Sequence, residues 1–204
     1  MCIRDRGIVP MQRLVQGDVG SGKTAIAILA LTKIVENGYQ GALMAPTEVL
    51  AAQHFKTFQQ VFKGMPIKTA YLSGHTKAAE RKEILEQLKD GSIHILIGTH
   101  ALIEENVVFS ALGLVITDEQ HRFGVKQRQA LESKGKSPHV LIMTATPIPR
   151  TMALSVYGDL DVSFIKGMPP GRHPVKTYVV GSHMLQRIFR FMKKEMESGH
   201  QAYV

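Results

Sequence analysis

Short apolar runs alternate with stretches of helical periodicity along most of the chain. The apolar runs are nearly continuous instead of alternating with polar residues, which is typical of parallel strands covered on both faces of a sheet. The pattern therefore predicts an α/β fold with a doubly wound, mostly parallel sheet. The predicted strands are residues 12–16, 42–45, 67–72, 93–97, 112–116 and 140–143.

Three segments between these strands have the spacing of amphipathic helices, namely residues 23–36, 47–62 and 77–89. The first ends at Asn37-Gly38, a common C-terminal stop for a helix. The third is polar apart from three residues, so one side is expected to face solvent. The apolar positions are Ile26, Leu29, Ala30 and Ile34 in the first helix and Val49, Leu50, Phe55, Phe58 and Phe62 in the second.

Proline and glycine divide the chain near its end. The stretch KGMPPGRHPV, residues 166–175, has no periodicity and is predicted to be a linker. It separates a main domain, residues 9–165, from residues 176–204, for which we predict a strand at 176–180, a basic helix at 182–197 and the start of another strand. Residues 1–8 fit neither a signal nor a transit peptide, and we expect a non-native or unstructured start. The abrupt ends indicate a fragment of a longer protein.

Composition narrows the class of protein. The 204 residues are 44% hydrophobic, enough for one substantial core. No apolar run approaches the roughly 18 residues needed to span a bilayer, so a membrane role is not expected. The single cysteine, Cys2, excludes an internal disulfide framework. The net charge of +8 fits either scattered surface lysines and arginines or a polyanionic partner, and the charge alone does not separate these.

A phosphate-binding motif follows the first predicted strand and opens the first predicted helix. The stretch GDVGSGKT satisfies G-x-x-x-x-G-K-[ST], in which glycines let backbone N–H groups face phosphate oxygens. Lys23 is expected at the terminal phosphates, and Thr24 is expected to offer its hydroxyl to Mg²⁺. The alternative is a glycine-rich turn with an incidental lysine. The candidate nucleotide-binding residues are Gly17, Asp18, Val19, Gly20, Ser21, Gly22, Lys23 and Thr24.

Two adjacent acids end the strand at 112–116. A Mg²⁺–nucleotide complex needs a carboxylate at a neighbouring strand end and a second group that positions the attacking water. Asp118 suits the first role, largely through water, and Glu119 the second. The alternative is a solvated acidic turn. Thr144 and Thr146, which follow the strand at 140–143, are candidates for hydrogen bonds toward these acids, or are simply polar residues that end a strand.

Six motifs together resemble those of superfamily 2 helicases: GDVGSGKT, APTEVLAAQH, YLSGHT, GTHALI, DEQHRFGVKQR and TATPIPRT. The stretches ITDEQHRFGVKQRQAL and YGDLDVSFIKGMPPGRHPVKT are similar to the RecG family of bacterial ATP-dependent DNA helicases, and the resemblance covers residues 9–204. It implies a RecA-like P-loop NTPase domain followed by the start of a second one. It also implies that the strand at 140–143 lies between the phosphate-loop strand and the acid strand.

The resemblance implies roles for individual residues. ATP and Mg²⁺ are the expected cofactors. Gln120 and His121 are expected to sense the γ-phosphate and to relay to the two threonines of TAT. A second set is expected to follow a nucleic-acid strand across the sheet: Thr47, Glu48, Gln53, Gly98, Thr99 and His100. The residues alone leave two alternatives open, helix capping by Thr47 and a plain turn at Gly98.

The resemblance further implies branched DNA, meaning forks and Holliday junctions, as the partner of the full-length protein, which we expect to be monomeric and to work in the bacterial cytoplasm. The family's junction-gripping wedge domain, adenine-reading segment and arginine fingers of the second motor domain have no counterpart in these residues. We therefore expect the 204-residue chain alone to bind nucleotide and DNA weakly and to hydrolyse ATP negligibly. One departure is Thr117, where the family usually has an aliphatic residue.

The sequence also fits other classes of protein. A transcription-repair coupling factor, which is a double-stranded DNA translocase, shares GDVG-GKT and TATPIPRT. Gln16, Ser21 and Gln120 favour the RecG family instead, and a primosomal helicase differs more at the loop and the acids. A nucleotide-binding or DNA-binding module without turnover is the alternative from another class, and DNA-stimulated ATP hydrolysis separates it from an enzyme.

Overall fold

The computed structural model describes residues 10–118, 125–146, 160–166 and 175–203, apart from the side chains of residues 125, 126 and 128. The chain divides into two compact units, Met1–Pro169 and Pro170–Val204. The first unit contains every strand that the structure describes, whereas the second is built around one helix. No helix in the described ranges combines the length and the apolar character that crossing a membrane requires.

The first unit is organised around a seven-stranded parallel sheet. Its strand order is β3-β4-β2-β5-β6-β1-β7, and every pairing is parallel. The predicted α/β class is therefore confirmed, as is the position of β6 between β5 and β1. The strands are β1 Gln12–Gln16, β2 Gln40–Met44, β3 Thr69–Leu72, β4 Ile95–Gly98, β5 Leu112–Asp118, β6 His139–Thr144 and β7 Asp161–Phe164.

Helices cover both faces of this sheet. On one face, α1 and α2 contribute Leu31 and Phe58 to a shared core cluster. On the other, α3 and α4 contribute Leu88 and Leu131 to a second cluster. All residues of β2 and β5 are buried, as the continuous apolar runs predict for central strands. The helices are α1 Lys23–Glu36, α2 Glu48–Val61, α3 Ala78–Lys89 and α4 Val125–Glu132, with a 3-10 helix at His100–Ile103.

One predicted apolar position in each of α1 and α2 is exposed, whereas most of the others pack in the core cluster of this face: Ile26, Ala30, Ile34, Phe55, Phe58 and Phe62. Leu29 and Val49 are 70% and 79% exposed, although both were expected on the apolar face. The most deeply buried positions of α1 are Lys23, Ala27 and Leu31, which are four residues apart. A Cβ atom at Gly41 of β2 would lie 2.1 Å from Cδ2 of Leu31. The missing side chain at that position lets α1 lie close to the sheet at Leu31.

The edge strand β7 has no counterpart among the predicted strands. Its four residues are half-buried or exposed, so its hydrophobic signal is weak. It forms by pairing with β1, and Arg13 of β1 donates a hydrogen bond to Ser163 Oγ at 2.6 Å and contacts Asp161 at 3.4 Å. These contacts join residues about 150 positions apart in sequence, and a local pattern cannot reveal them.

The second unit contains α5, Leu185–Glu197, preceded by a short 3-10 helix at Ser182–Met184. The predicted basic helix is thus confirmed, but the predicted strand at 176–180 is wrong, because residues 175–180 have no regular structure. The predicted last strand is also absent from residues 199–203. A β-strand requires a hydrogen-bonding neighbour, and the described part of this unit provides none.

Candidate nucleotide site and nucleic-acid interface

The motifs singled out in the sequence meet at one edge of the sheet. Because all seven strands are parallel, every strand ends at the same edge, and each motif directly follows a strand. Along that edge the order of the strands separates two groups. The nucleotide candidates follow β1, β6 and β5, whereas the nucleic-acid candidates follow β2 and β4.

The phosphate loop is anchored at both ends. At its start, the N–H of Gly17 donates to the carbonyl of Thr144, the last residue of β6, at 3.1 Å. Within the loop, the N–H of Ser21 donates to the carbonyl of Asp18 at 3.1 Å. Gly20 and Gly22 have φ values of 80° and 93°, a left-handed conformation that glycine adopts without steric cost. The loop therefore turns sharply enough to lead from β1 into α1.

Lys23 is held inside this loop. Its ammonium donates hydrogen bonds to the carbonyls of Gly17 at 2.7 Å and Asp18 at 2.9 Å, and the side chain is buried. A buried ammonium needs such acceptors, because leaving it unpaired would be costly. The contacts place a positive charge at the centre of the loop, where an anionic phosphate would be attracted.

The N-terminus of α1 adds to the attraction for an anion. Gly22 is the N-cap and offers no side-chain cap, and the first turn contains no acidic residue. The first N–H groups of a helix lack intrahelical acceptors and carry the positive end of the helix dipole. Together with Lys23 they form the donor set that phosphate oxygens bind.

The remaining loop residues lie around this centre. Oδ1 of Asp18 accepts a hydrogen bond from the N–H of Val19 at 2.7 Å, and the Val19 side chain is exposed. Thr24 lies in the first turn of α1 and is half-buried. Ser21 Oγ is buried and lacks a hydrogen-bond partner among the described residues.

The predicted metal acid, Asp118, is the last residue of β5 and is buried. Its Oδ2 lies 2.8 Å from Nε2 of His54, which is itself buried in α2. An ionised carboxylate can only accept hydrogen bonds, so His54 donates. Sequence reasoning missed His54. The available signal was its spacing, since it lies between Ala51 and Phe58 on the buried stripe of α2.

Three further candidates, Glu119, Gln120 and His121, lie outside the described residues. The threonines expected to work with them are described. Thr144 is fully buried and Thr146 is exposed, and their hydroxyl oxygens are 2.9 Å apart. Thr144 Oγ1 also accepts from the N–H of Thr146 at 3.2 Å. The two hydroxyls therefore form one hydrogen-bonded unit at the end of β6, next to β5.

At the start of α2 the structure brings Thr47 and Glu48 together with a residue that sequence reasoning did not single out. Thr47 Oγ1 accepts a hydrogen bond from the N–H of Leu50 at 3.3 Å and so caps the helix. Helix capping was the alternative that the sequence left open for this residue. Glu48 Oε1 lies 2.8 Å from Nδ1 of His75, in the loop after β3. This hydrogen bond lowers the pKa of Glu48 and raises the pKa of His75. Gln53, five residues further along α2, is exposed.

The second nucleic-acid motif begins at the end of β4. Gly98 packs so closely that a Cβ atom there would lie 1.9 Å from the carbonyl oxygen of Leu72 and 2.4 Å from Cδ1 of Leu102. Gly98 is therefore the last residue of a buried strand, and not only a turn. Thr99 is buried, and its hydroxyl has no hydrogen-bond partner within the described ranges. His100 is exposed.

These features can be compared with known proteins. The family model of the DEAD/DEAH box helicases matches residues 6–154. The chain belongs to this helicase family. Its sheet is therefore the RecA-like domain of a helicase, and the domain is of a nucleotide-binding class. The predicted domain limits, including a second RecA-like domain from residue 176, stay predictions.

Within this family, the chain is similar to individual helicases of the RecG type. The ATP-dependent DNA helicase RecG of Bacillus subtilis (strain 168) is 56% identical over 194 residues, covering 95% of this chain and 28% of the relative. The RecG of Aquifex aeolicus (strain VF5) is 50% identical over 198 residues, covering 96% of this chain and 25% of the relative. The chain thus spans about a quarter of the length of the relatives it matches.

Solved structures agree with this similarity. The structure of RecG bound to a three-way DNA junction has a TM-score of 0.79 and 47% sequence identity, covering 96% of this chain and 26% of that chain. The Hef helicase domain of Pyrococcus furiosus has a TM-score of 0.61 at 22% identity, covering 76% of this chain and 34% of that one. At that identity the second match shows a shared fold only.

The residues at the edge fit a Mg²⁺–nucleotide complex. Ser21 Oγ is a buried donor within the loop that has no partner among the described residues, and Lys23 supplies a buried cation beside it. Nothing among those residues comes within 4 Å of a Cβ position at Gly22, so the loop leaves open space there. Asp118 has carboxylate oxygens, the kind of atom that Mg²⁺ prefers as a ligand.

Proposed function

We propose that this chain is the ATP-binding motor lobe of an ATP-dependent DNA helicase that remodels branched DNA. The observation that carries the proposal is the arrangement at the sheet edge, where the phosphate loop after β1 and Asp118 at the end of β5 flank β6. The RecG structure bound to a three-way DNA junction supports branched DNA as the substrate class, and we propose forks and Holliday junctions as the DNA structures on which the longer protein acts.

In this proposal the loop binds the nucleotide. Lys23 would exchange its two carbonyl contacts for the terminal phosphates, and the N–H groups at the start of α1 would bind the remaining phosphate oxygens. Thr24 and Asp118 would hold Mg²⁺, in large part through water. When bound, Mg²⁺ neutralises phosphate charge and favours departure of the leaving group.

Hydrolysis would depend on the residues after Asp118. Glu119 is proposed to orient the attacking water and to accept its proton. Gln120 and His121 are proposed to sense the γ-phosphate and to pass its presence to Thr144 and Thr146. The hydrogen-bonded pair of threonine hydroxyls is suited to this role, because rotating one hydroxyl changes what the other can donate.

The DNA strand would cross the other part of the edge. Thr47, Glu48 and Gln53 at the start of α2, with Gly98, Thr99 and His100 after β4, are proposed to follow its backbone. Small polar residues and loop N–H groups suit phosphate contacts that position a strand without reading its sequence. The net charge of +8 is compatible with a polyanionic partner. We further propose that the full-length protein is a monomer of the bacterial cytoplasm.

Two substitutions separate binding from turnover. Lys23→Ala should weaken binding of Mg²⁺–ATP to the 204-residue chain, measured by titration with a fluorescent ATP analogue. Glu119→Gln should leave this binding within about threefold of wild type, because Asp118 remains, yet abolish hydrolysis in a RecG-length protein that carries this sequence. Normal turnover of the Glu119→Gln protein would exclude Glu119 as the water-orienting group.

The choice of DNA tests the substrate. In a RecG-length protein carrying this sequence, ATP hydrolysis should be stimulated more by a three-way or four-way junction than by linear duplex of equal length. Equal stimulation by linear duplex would favour a double-stranded DNA translocase instead. No stimulation by any DNA, with intact nucleotide binding, would indicate a nucleotide-binding module without a motor function.

A further inference from the structure

One buried contact joins the two halves of the sheet edge. Nε2 of His54 lies 2.8 Å from Oδ2 of Asp118, and the two side chains are only 10% and 12% exposed. The contact spans 64 residues of sequence, from the middle of α2 to the end of β5. Asp118 belongs to the acid motif, whereas His54 is in neither the phosphate loop nor the acid motif and is not among the proposed DNA-contacting residues.

The helix that carries His54 also begins with two of the proposed DNA-contacting residues. Thr47 caps α2 through the N–H of Leu50, and Glu48 pairs with His75 from the loop after β3. His54 lies six residues after Glu48, or about 9 Å along the helix axis. A shift of α2 at its first turn would therefore move the His54 ring relative to Asp118, because a helix moves nearly as a rigid rod.

The strand order explains why this contact is possible. β2, which leads into α2, is the direct neighbour of β5, and Met44 is in register with Thr117. Asp118 is the next residue of β5 and lies on the same side of the sheet as Ile116, which packs in the cluster shared by α1 and α2. His54 and Asp118 thus face each other from adjacent elements of one face.

We propose that His54 is a positioning residue that holds the carboxylate of Asp118 and couples its orientation to the position of α2. The inference rests on the proposed function, since it assigns Asp118 to Mg²⁺. A ligating carboxylate that is itself hydrogen-bonded binds metal in a fixed orientation, and outer hydrogen-bond partners of this kind typically contribute about 10- to 100-fold to metal affinity or activity.

The first test measures Mg²⁺ dependence of nucleotide binding by the 204-residue chain. Binding of a fluorescent ATP analogue is titrated at a series of Mg²⁺ concentrations and in EDTA. For His54→Leu, the Mg²⁺ concentration that gives half of the Mg²⁺-dependent change in analogue binding should rise about tenfold. Binding of the analogue in EDTA should stay unchanged. His54→Gln, whose amide can donate a hydrogen bond, should recover most of the loss. Gln59→Leu, at an exposed position of the same helix, is the matched control.

The outcomes distinguish the inference from the proposed function. Wild-type chain that binds no Mg²⁺–nucleotide would overturn the proposed function and this inference with it. If the wild-type chain binds Mg²⁺–nucleotide and His54→Leu shows the same Mg²⁺ dependence, the inference is overturned and the proposed function is not. Equal losses in EDTA and in Mg²⁺ would point to general damage of the fold and would also count against it, as would failure of His54→Gln to recover binding.

A second test needs no metal or nucleotide. Thermal unfolding in EDTA is compared for wild type, His54→Leu, Asp118→Asn and the double variant. If the two side chains act as one unit, the loss in the double variant should be clearly smaller than the sum of the two single losses. Additive losses would contradict a direct coupling between His54 and Asp118. This measurement remains informative even if nucleotide binding by the chain is weak.

Discussion

The N–H of Gly17 donates a hydrogen bond to the carbonyl of Thr144 at 3.1 Å. This bond continues the pairing of β1 with β6, in which Gln16 is in register with Thr144. The phosphate loop and the TAT motif therefore begin at the same point of the sheet edge, although their residues are more than a hundred positions apart. Any movement of the end of β6 would be transmitted directly to the start of the loop.

The close packing of Gly98 gives a prediction about stability. Gly98→Ala places a Cβ atom 1.9 Å from the carbonyl oxygen of Leu72, and a backbone atom cannot move aside cheaply. We expect a loss of about 1–3 kcal/mol or more in the free energy of unfolding. Urea denaturation of the 204-residue chain measures it. Gly74→Ala is the control, since no described atom lies within 4 Å of its Cβ position, and it should be neutral.

Thr117 is expected to be a site where stability can be gained. Its side chain is fully buried, and Oγ1 has no hydrogen-bond partner in the described part of the chain. Thr117→Val removes an unpaired buried hydroxyl and keeps the β-branched shape, so the free energy of unfolding should rise by about 1 kcal/mol. Thr144→Val, which breaks a hydrogen bond to Thr146, should not stabilise the chain. If Thr117→Val instead lowers the free energy of unfolding by about the same amount, the Thr117 hydroxyl has a hydrogen-bond partner.

The pair of Glu48 and His75 should depend on pH. Its hydrogen bond raises the pKa of His75, so the stabilisation from protonated His75 is present at acidic pH and is lost as the pH rises through the folded pKa. The pKa of Glu48 is lowered, so its contribution is lost as the pH falls through that value. The pair therefore exists between these two pKa values, and its effect on stability is small because both groups are solvated.

An NMR titration of the His75 ring tests this window. In Glu48→Gln the pKa of His75 should fall back toward its ordinary value. Glu80→Gln removes an exposed carboxylate that, among the described residues, does not contribute to the raised pKa of His75, and it should leave that pKa unchanged. Equal shifts in the two variants would mean that the general field of the protein, and not the hydrogen bond, raises the pKa.

Lys134 should hold the segment after the 3-10 helix in place. Its ammonium donates to the carbonyls of Glu104 at 2.7 Å and Val107 at 2.9 Å, and partial burial lowers the pKa of this group. Lys134→Met removes both bonds. The N–H of Val107, which donates to the Glu104 carbonyl, should then exchange with solvent about tenfold faster, as expected for a loss of about 1.5 kcal/mol. Lys136→Met, at an exposed position nearby, should leave the exchange rate unaltered.

The sequence by itself determined the α/β class and the phosphate loop. Both depend on signals that are local: the period of apolar residues and a motif of eight residues whose backbone geometry needs glycine at set positions. It also identified Asp118 as the acid at a strand end, because a carboxylate after a buried run is unusual whatever lies beside it. Parallel strands then require the motifs to meet at one edge.

Only the tertiary structure decided which residues from distant segments touch. The sequence spacing places His54 on the buried face of a helix but does not show that α2 lies beside β5, where His54 contacts Asp118. The contact between His75 and Glu48 likewise appears only in the tertiary structure. Leu29 is exposed because α1 turns Ala27 and Leu31 toward the sheet, and β7 forms because the side of β1 that faces away from β6 is open to pairing. The strand predicted at 176–180 does not form, because a strand needs a partner for its hydrogen bonds and the described part of the second unit offers none.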